Sequence, residues 1–439
     1  MRGYASRNGS GMDDFTLSYE QSQALAAQAA KVFQPRTPIA TKELFAGRWT
    51  ELTTVADAVN QAGLHVVIYG ERGVGKTSLA NVVKSTIWAL DHIEKEAEQV
   101  PDRLVIKAVA SSGDTFSSIW DKLFKDLTWT DNRPTIGFSP TTKDRISLLD
   151  AYGVVSQGIG VDDVRRILTN IPGSVFIIDE FDRAAKETSR EFTDLIKALS
   201  DFAVESTVVL VGVSDTIDQL IADHASIGRA ITQIFLRRMT PKELREILTN
   251  AEKSLSIKFS DEAANLIVHV SQGLPHYTHL IGLHTVRLAA AQRYSTVVER
   301  TDVFAALEEA VKQAEQTVRN QHSKATHSAH KEALYRQVLL ACALTAARSQ
   351  DPLGYFSPSA VVDPLSAILD REVEIATFSN HLSEFCQEKR GSVLERDGQT
   401  RAYRYRFRDP MIVPFAFMDA VASHLVSEPQ LSEMLNNKD

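Results

Sequence analysis

The sequence predicts an α/β protein: a parallel five-stranded sheet, then a helical lid, then a small α+β domain. Three observations carry this. Short apolar segments rich in β-branched residues, at 64–69, 103–109, 175–178, 207–213 and 231–236, alternate with helical patterns, as βαβ units with right-handed crossovers require. The first segment runs into Gly70-Glu71-Arg72-Gly73-Val74-Gly75-Lys76-Thr77-Ser78 and then into apolar residues at helical spacing. The third ends in paired carboxylates, Asp179-Glu180.

The glycine segment fits G-x-x-x-x-G-K-[ST] between a strand and a helix, the context that gives this pattern its meaning. Backbone N–H groups at a helix N-terminus form a nest whose dipole favours phosphate. Gly70, Gly73 and Gly75 allow a backbone that side chains forbid. Lys76 is expected to reach the β- and γ-phosphates of a nucleoside triphosphate, and the Thr77 hydroxyl to ligate Mg²⁺. Glu71, Arg72, Val74 and Ser78 complete the predicted cradle. A buried parallel strand places its carboxyl end where ligands bind in an open α/β sheet. Asp179 is therefore expected to hold Mg²⁺ through its water shell, and Glu180 to polarise a water for in-line attack.

A chain of 439 residues, 44% hydrophobic and 24% charged, suits two or three ordinary globular domains. The net charge of −8 argues against a surface that coats nucleic acid, though not against a local basic site. Cys342 and Cys386, the only cysteines, are too few for a disulfide scaffold or a cysteine-based zinc site. The longest apolar run, 338–347, is far short of the ~20 residues that span a bilayer. The first residues, rich in Gly, Ser and Arg, lack the apolar core of a secretory signal. A cytoplasmic location is the expectation.

In chain order, 18–33 is Ala/Gln-rich and reads as a helix ended by Pro35 and Pro38. Leu44-Phe45-Ala46-Gly47-Arg48 precedes a helical pattern over 49–61. That turn is either a lid over a nucleotide base, with Phe45 packing and the Gly47 backbone and Arg48 near it, or a helix-entry turn with Arg48 as a surface arginine. An aromatic amphipathic helix follows at 116–127, then a poorly patterned stretch, 130–160, that reads as a surface insertion. Ser214 or Asp215, at the end of the fourth strand, either reaches between the carboxylates and a γ-phosphate or caps the helical segment from Thr216.

Here a family resemblance can be named. The turn at 44–48, the glycine loop, Ile177-Ile178-Asp179-Glu180, Val211-Gly212-Val213-Ser214 and the stretch 231–244 resemble an AAA+ ATPase over about 44–310. The likeness is strongest to the initiator/origin-recognition-like and signalling (STAND-like) branches. It implies ATP and Mg²⁺ as ligands, Walker B and sensor 1 roles for the second and third motifs, and assembly into a homo-oligomer. It places Arg229 where the family carries an arginine finger for a neighbour's γ-phosphate. Arg229 is otherwise a cation at a helix C-terminus, and Arg237 and Arg238 are rivals for the finger role. Gly273-Leu274-Pro275-His276 falls at the sensor 2 position, but His276 replaces the usual arginine and lacks its permanent charge.

The domain expectation is an N-terminal extension and helix (1–40), nucleotide-binding core (41–239), helical lid (240–318), linker (319–331), winged-helix-like domain (332–425) and frayed tail (426–439). The linker carries His322, His327 and His330 without the ligand set of a metal site. Helical patterns at 334–346, 357–369 and 375–389, then two strand patterns around Asp397-Gly398, resemble a winged helix-turn-helix. Lys389, Arg390, Arg396, Arg401, Arg404, Arg406 and Arg408 outnumber Glu395 and Asp397 there. Arg404, Arg406 and Arg408 share one strand face. With Arg401, they form either a wing that contacts double-stranded DNA or a face that is solvated or paired within the protein. The first reading of function is a DNA-associated ATPase; the alternatives are a nucleotide-controlled switch acting on an effector protein and an inactive nucleotide-binding scaffold. No membrane role is expected.

Overall fold

A computed structural model describes residues 16–39, 44–95, 103–125, 127–132, 143–221, 224–329, 333–349, 351, 353–399 and 402–436. The chain divides into two compact units, residues 38–238 and residues 1–37 with 239–439.

The 38–238 unit is built on five parallel strands: β1 (His65–Gly70), β2 (Val105–Val109), β3 (Val175–Asp179), β4 (Thr207–Val213) and β5 (Ile231–Phe235). Their order is β2-β3-β4-β1-β5. The chain leaves β1 for the far edge and returns strand by strand, so β1 lies at the crossover point where such sheets bind ligands. Every residue of β3 is buried, which explains its unbroken apolar run. On one face Phe176 and Ile178 join Phe116, Trp120, Phe124, Phe181 and Phe192 in an aromatic core. On the other, the Lys76–Lys95 helix packs across β1 to β4. Asp179 and Lys107 have the opposite parity to Phe176 and Ala108 and share the helix-covered face.

The stretch 130–160 is not simply a surface insertion. Strands Thr128–Asn132 and Lys143–Ser147 pair antiparallel, and Leu148, Leu149, Val154 and Ile159 are buried in the aromatic core. Residues 133–142 lie outside the described residues.

In the other unit, Tyr19–Val32 opens with a capping box between Ser18 and Gln21 and packs on Pro275–Arg293. Phe33 closes over Gly282, where an added Cβ would come within 2.5 Å of the ring. Thr240 and Glu243 form a second capping box, with Pro241 in the first turn. Helices Tyr335–Arg348, Val362–Leu369 and Ile375–Phe385 precede the hairpin strands Leu394–Asp397 and Arg404–Phe407.

Two further expectations are corrected. The supposed linker contains the helix Gln316–Thr326, whose Val318, His322 and Ala325 are buried. The supposed frayed tail contains the helix Glu428–Asn436, with Leu431 fully buried. Both pack against one element, Ile412–Ala422. That helix is apolar on nearly every side, so it must be surrounded. Its neighbours include Arg300–Gln313 and Tyr335–Arg348, and Tyr277 donates to the Met411 carbonyl at 2.6 Å. Lid and C-terminal residues thus share one core.

Candidate functional site

The carboxyl ends of β1 and β3 bring the two main sequence motifs together. Gly70 ends β1 at φ 148°, and a Cβ there would sit 2.3 Å from the Leu236 carbonyl oxygen. No other residue fits that approach. Gly73 and Gly75 also take positive φ, turning the loop into the Lys76–Lys95 helix.

Lys76 is buried, and its Nζ donates to the carbonyls of Gly70 (2.9 Å) and Glu71 (2.7 Å). Burial pulls its pKa down to about 8, against the opposing influence of Asp182, Asp179 and Glu71. Asp182 is an acid that the motif reading missed. Its Oδ1 accepts from Val213 N at 2.7 Å, fixing the end of β4. Asp179 Oδ1 accepts from Glu180 N at 2.9 Å, and Oδ2 pairs with Lys107 Nζ at 2.8 Å. Lys107 Nζ also donates to Asn81 Oδ1 at 2.8 Å. Asn81 lies one turn beyond Thr77 on the same helix. Lys107 interrupts the apolar strand Val105–Val109, and that lone charge was the available signal for it.

Glu180 has a left-handed backbone (φ 54°), sparsely populated for a residue with a side chain. Its half-exposed carboxylate pairs with Arg183 at 2.9 Å. Glu71 pairs with Arg238 Nε at 2.7 Å, so Arg238 stands beside the glycine loop. Arg229 is exposed just before β5, at the opposite end of the sheet from the loop. A strand of five residues separates the two ends by about 17 Å, too far for Arg229 to reach its own loop.

Several other predicted ligands are engaged elsewhere. Arg48 is buried in a left-handed turn, paired with Glu51 at 3.1 Å and donating to the Arg237 carbonyl. Gly47 is buried beside it. Ser78 Oγ accepts from Ile39 N at 3.2 Å. Ser214 Oγ donates to the Thr216 carbonyl and closes a turn after β4; it does not cap the next helix, whose N-cap is Thr216. His276 Nδ1–H donates to the Pro35 carbonyl at 2.8 Å in the helical unit. Arg72 and Val74 lie in the loop, Val74 buried.

In the hairpin, Glu395 faces Arg406 and Asp397 faces Arg404 in register. Arg404 pairs with Asp397 at 2.7 Å and Asp351 at 3.5 Å, while Arg406 pairs with Glu395. Both guanidinium groups lie over Tyr355, and Arg396 lies over Tyr403. Arg401 lies outside the described residues.

Thr77 and Asp179 offer a hydroxyl and a carboxylate, the hard oxygen donors Mg²⁺ prefers. The Lys107 ammonium on Asp179 shows that this carboxylate already attracts a cation. The residues present fit the metal.

The model of the family described as Novel STAND NTPase 1 matches residues 33–353. No curated protein sequence matches at a significant level. Among solved structures, a Walker-type ATPase of Pyrococcus abyssi is similar at 14% identity and TM-score 0.49, covering 88% of this chain and 99% of that one. The Aeropyrum pernix ORC2 protein (ADPNP–ADP complexes) is similar at 13% identity and TM-score 0.47, covering 93% and 98%. The Aeropyrum pernix ORC1 protein in complex with DNA is similar at 14% identity and TM-score 0.41, covering 92% and 97%.

Proposed function

Because the chain belongs to the novel STAND NTPase 1 family, we propose that this AAA+-type P-loop protein binds and hydrolyses ATP as a conformational switch that acts on an effector protein. The observation that carries the reading is the meeting of the glycine loop, Lys76 and Asp179 at the carboxyl ends of β1 and β3. ATP phosphates would take the loop's N–H groups, and Lys76 would exchange two main-chain carbonyls for phosphate oxygens. Thr77 and Asp179 would hold Mg²⁺, which supplies neutralisation of the phosphate charge. Glu180 would leave Arg183 to orient and deprotonate the attacking water. Arg229, out of reach in its own chain, would act on a neighbouring subunit's nucleotide in a homo-oligomer.

The switch reading ranks above DNA association because the matching family is one of STAND NTPases; Arg404 and Arg406 are paired with Asp351, Asp397 and Glu395, in surface contacts that weigh little either way.

The test is phosphate release and nucleotide binding in wild type, Glu180→Gln and Lys76→Ala. Glu180→Gln is expected to hold ATP without turning it over, and Lys76→Ala to lose binding. Phosphate release unchanged in both variants would overturn the assignment. A mass that rises with ATP and not with ADP is expected from the subunit role of Arg229. A monomer with both nucleotides removes that role.

A further inference from the structure

We propose that Lys107 is an internal counter-cation which occupies the Asp179 carboxylate, must yield to Mg²⁺, and so sets the metal concentration at which nucleotide binds. The inference rests on the proposed metal role of Asp179 and Thr77.

The placement follows from the sheet. β2 pairs with β3 so that Val109 faces Asp179, and Lys107 lies two residues back on the same face. That face is covered by the Lys76–Lys95 helix, so the lysine has little access to water; its side chain is 15% exposed and that of Asp179 only 4%. Its three donors find Asn81 Oδ1 and Asp179 Oδ2, each at 2.8 Å. Both Asp179 oxygens are thereby engaged, one by Glu180 N and one by Lys107. The ammonium bridges Asp179 and Asn81, and Asn81 lies one turn along the helix from Thr77, so it sits on the carboxylate that a metal shared with Thr77 would use. A divalent ion and an ammonium within a few ångströms of each other repel, and more strongly here than in water. Metal entry therefore requires Lys107 to withdraw.

The contrast with Glu180 supports this. Its partner Arg183 is 57% exposed, and a surface pair of that kind is easily given up. The Lys107–Asp179 pair is enclosed, and breaking it from one side leaves a buried charge without compensation. Lys107 also neutralises the carboxylate when polyphosphate approaches without metal. Its removal should then have opposite effects: Mg²⁺ should bind more readily, and metal-free nucleotide less well.

The experiment titrates the full chain with a fluorescent ATP analogue, first against MgCl₂ and then in EDTA. In Lys107→Met the half-saturating Mg²⁺ concentration is expected to fall about fivefold or more, a coupling of ordinary size for two linked ligands. Binding in EDTA is expected to weaken relative to wild type. Asn81→Ala, which loosens Lys107 without removing its charge, should shift the Mg²⁺ midpoint the same way by less. A cooperative thermal melt checks each variant, and if Lys107→Met does not fold, Asn81→Ala decides. An unchanged or raised Mg²⁺ midpoint in a folded variant overturns the proposal while leaving the metal site intact. Wild-type binding indifferent to Mg²⁺ would instead refute both the metal site and this inference.

Discussion

Two parts of the chain concentrate charge, and they do so to opposite effect. Around the glycine loop, Lys76 is bonded to neutral main-chain carbonyls, which a polyanion can replace. In the hairpin, Arg404 and Arg406 face carboxylates directly across the strand register and lie over Tyr355. The hairpin has more basic residues in sequence, yet their partners are carboxylates, whereas those of the loop lysine are neutral. What a basic residue can bind depends on its present partner, not on how many like residues surround it.

Four experiments test that contrast, from the largest expected effect to the smallest. Glu180→Gln should lower turnover about 10²- to 10⁴-fold, the usual contribution of a positioned base, while nucleotide affinity stays within a few-fold. A steady-state phosphate assay beside an equilibrium binding titration separates the two. Lys76→Ala should weaken nucleotide binding about a hundredfold, as loss of charge-assisted hydrogen bonds worth ~1.5–3 kcal/mol predicts. Equal affinity in calorimetry would show that the loop lysine is not the available charge.

The third experiment is a pH series. Folded Lys76 releases its proton near pH 8, and an unfolded lysine near 10.4. Between those values the unfolded chain binds more protons, so this group makes the free protein more stable as pH rises. Nucleotide affinity should move the other way, falling as the charge is lost. Comparison with Lys76→Met isolates both trends. Affinity flat from pH 7 to 9.5 in wild type would contradict the buried position of the ammonium.

The smallest effect is expected from the double change Arg404→Ala, Arg406→Ala. It should lower Tm slightly and leave any DNA affinity, and its dependence on salt, as in wild type. A log–log salt slope that flattens by about 0.9 for each lost phosphate contact would reverse the comparison and make the hairpin a DNA-binding surface.

The parts of the site that sequence reveals are the contiguous ones. The glycine loop and Asp179-Glu180 are read directly because each strand end presents its own next residues. Lys107, Asp182 and the Arg238–Glu71 pair depend on strand order, which brings together residues far apart in the chain. The core strands show as apolar runs because both faces are covered. The helix Gln316–Thr326 was missed because its sparse apolar positions are shared among Tyr335–Arg348, Glu388–Arg390 and Ile412–Ala422, the last nearly a hundred residues later. The hairpin arginines were visible, but their neutralisation appears only once Glu395 and Asp397 are placed in register.

One feature of the helical unit bears on how this protein can be taken apart. Pro35 is held by His276, and Met239 N donates to the Gly273 carbonyl at 2.8 Å, so the chain leaves that unit and re-enters it at the same short turn, 273–276. In chain order, residues 38–238 are an insertion between the two segments of the helical unit. Cutting it out and bridging Thr37 to Met239 with a brief glycine–serine joint should leave a freestanding bait. Whatever that bait still captures owes nothing to the nucleotide half.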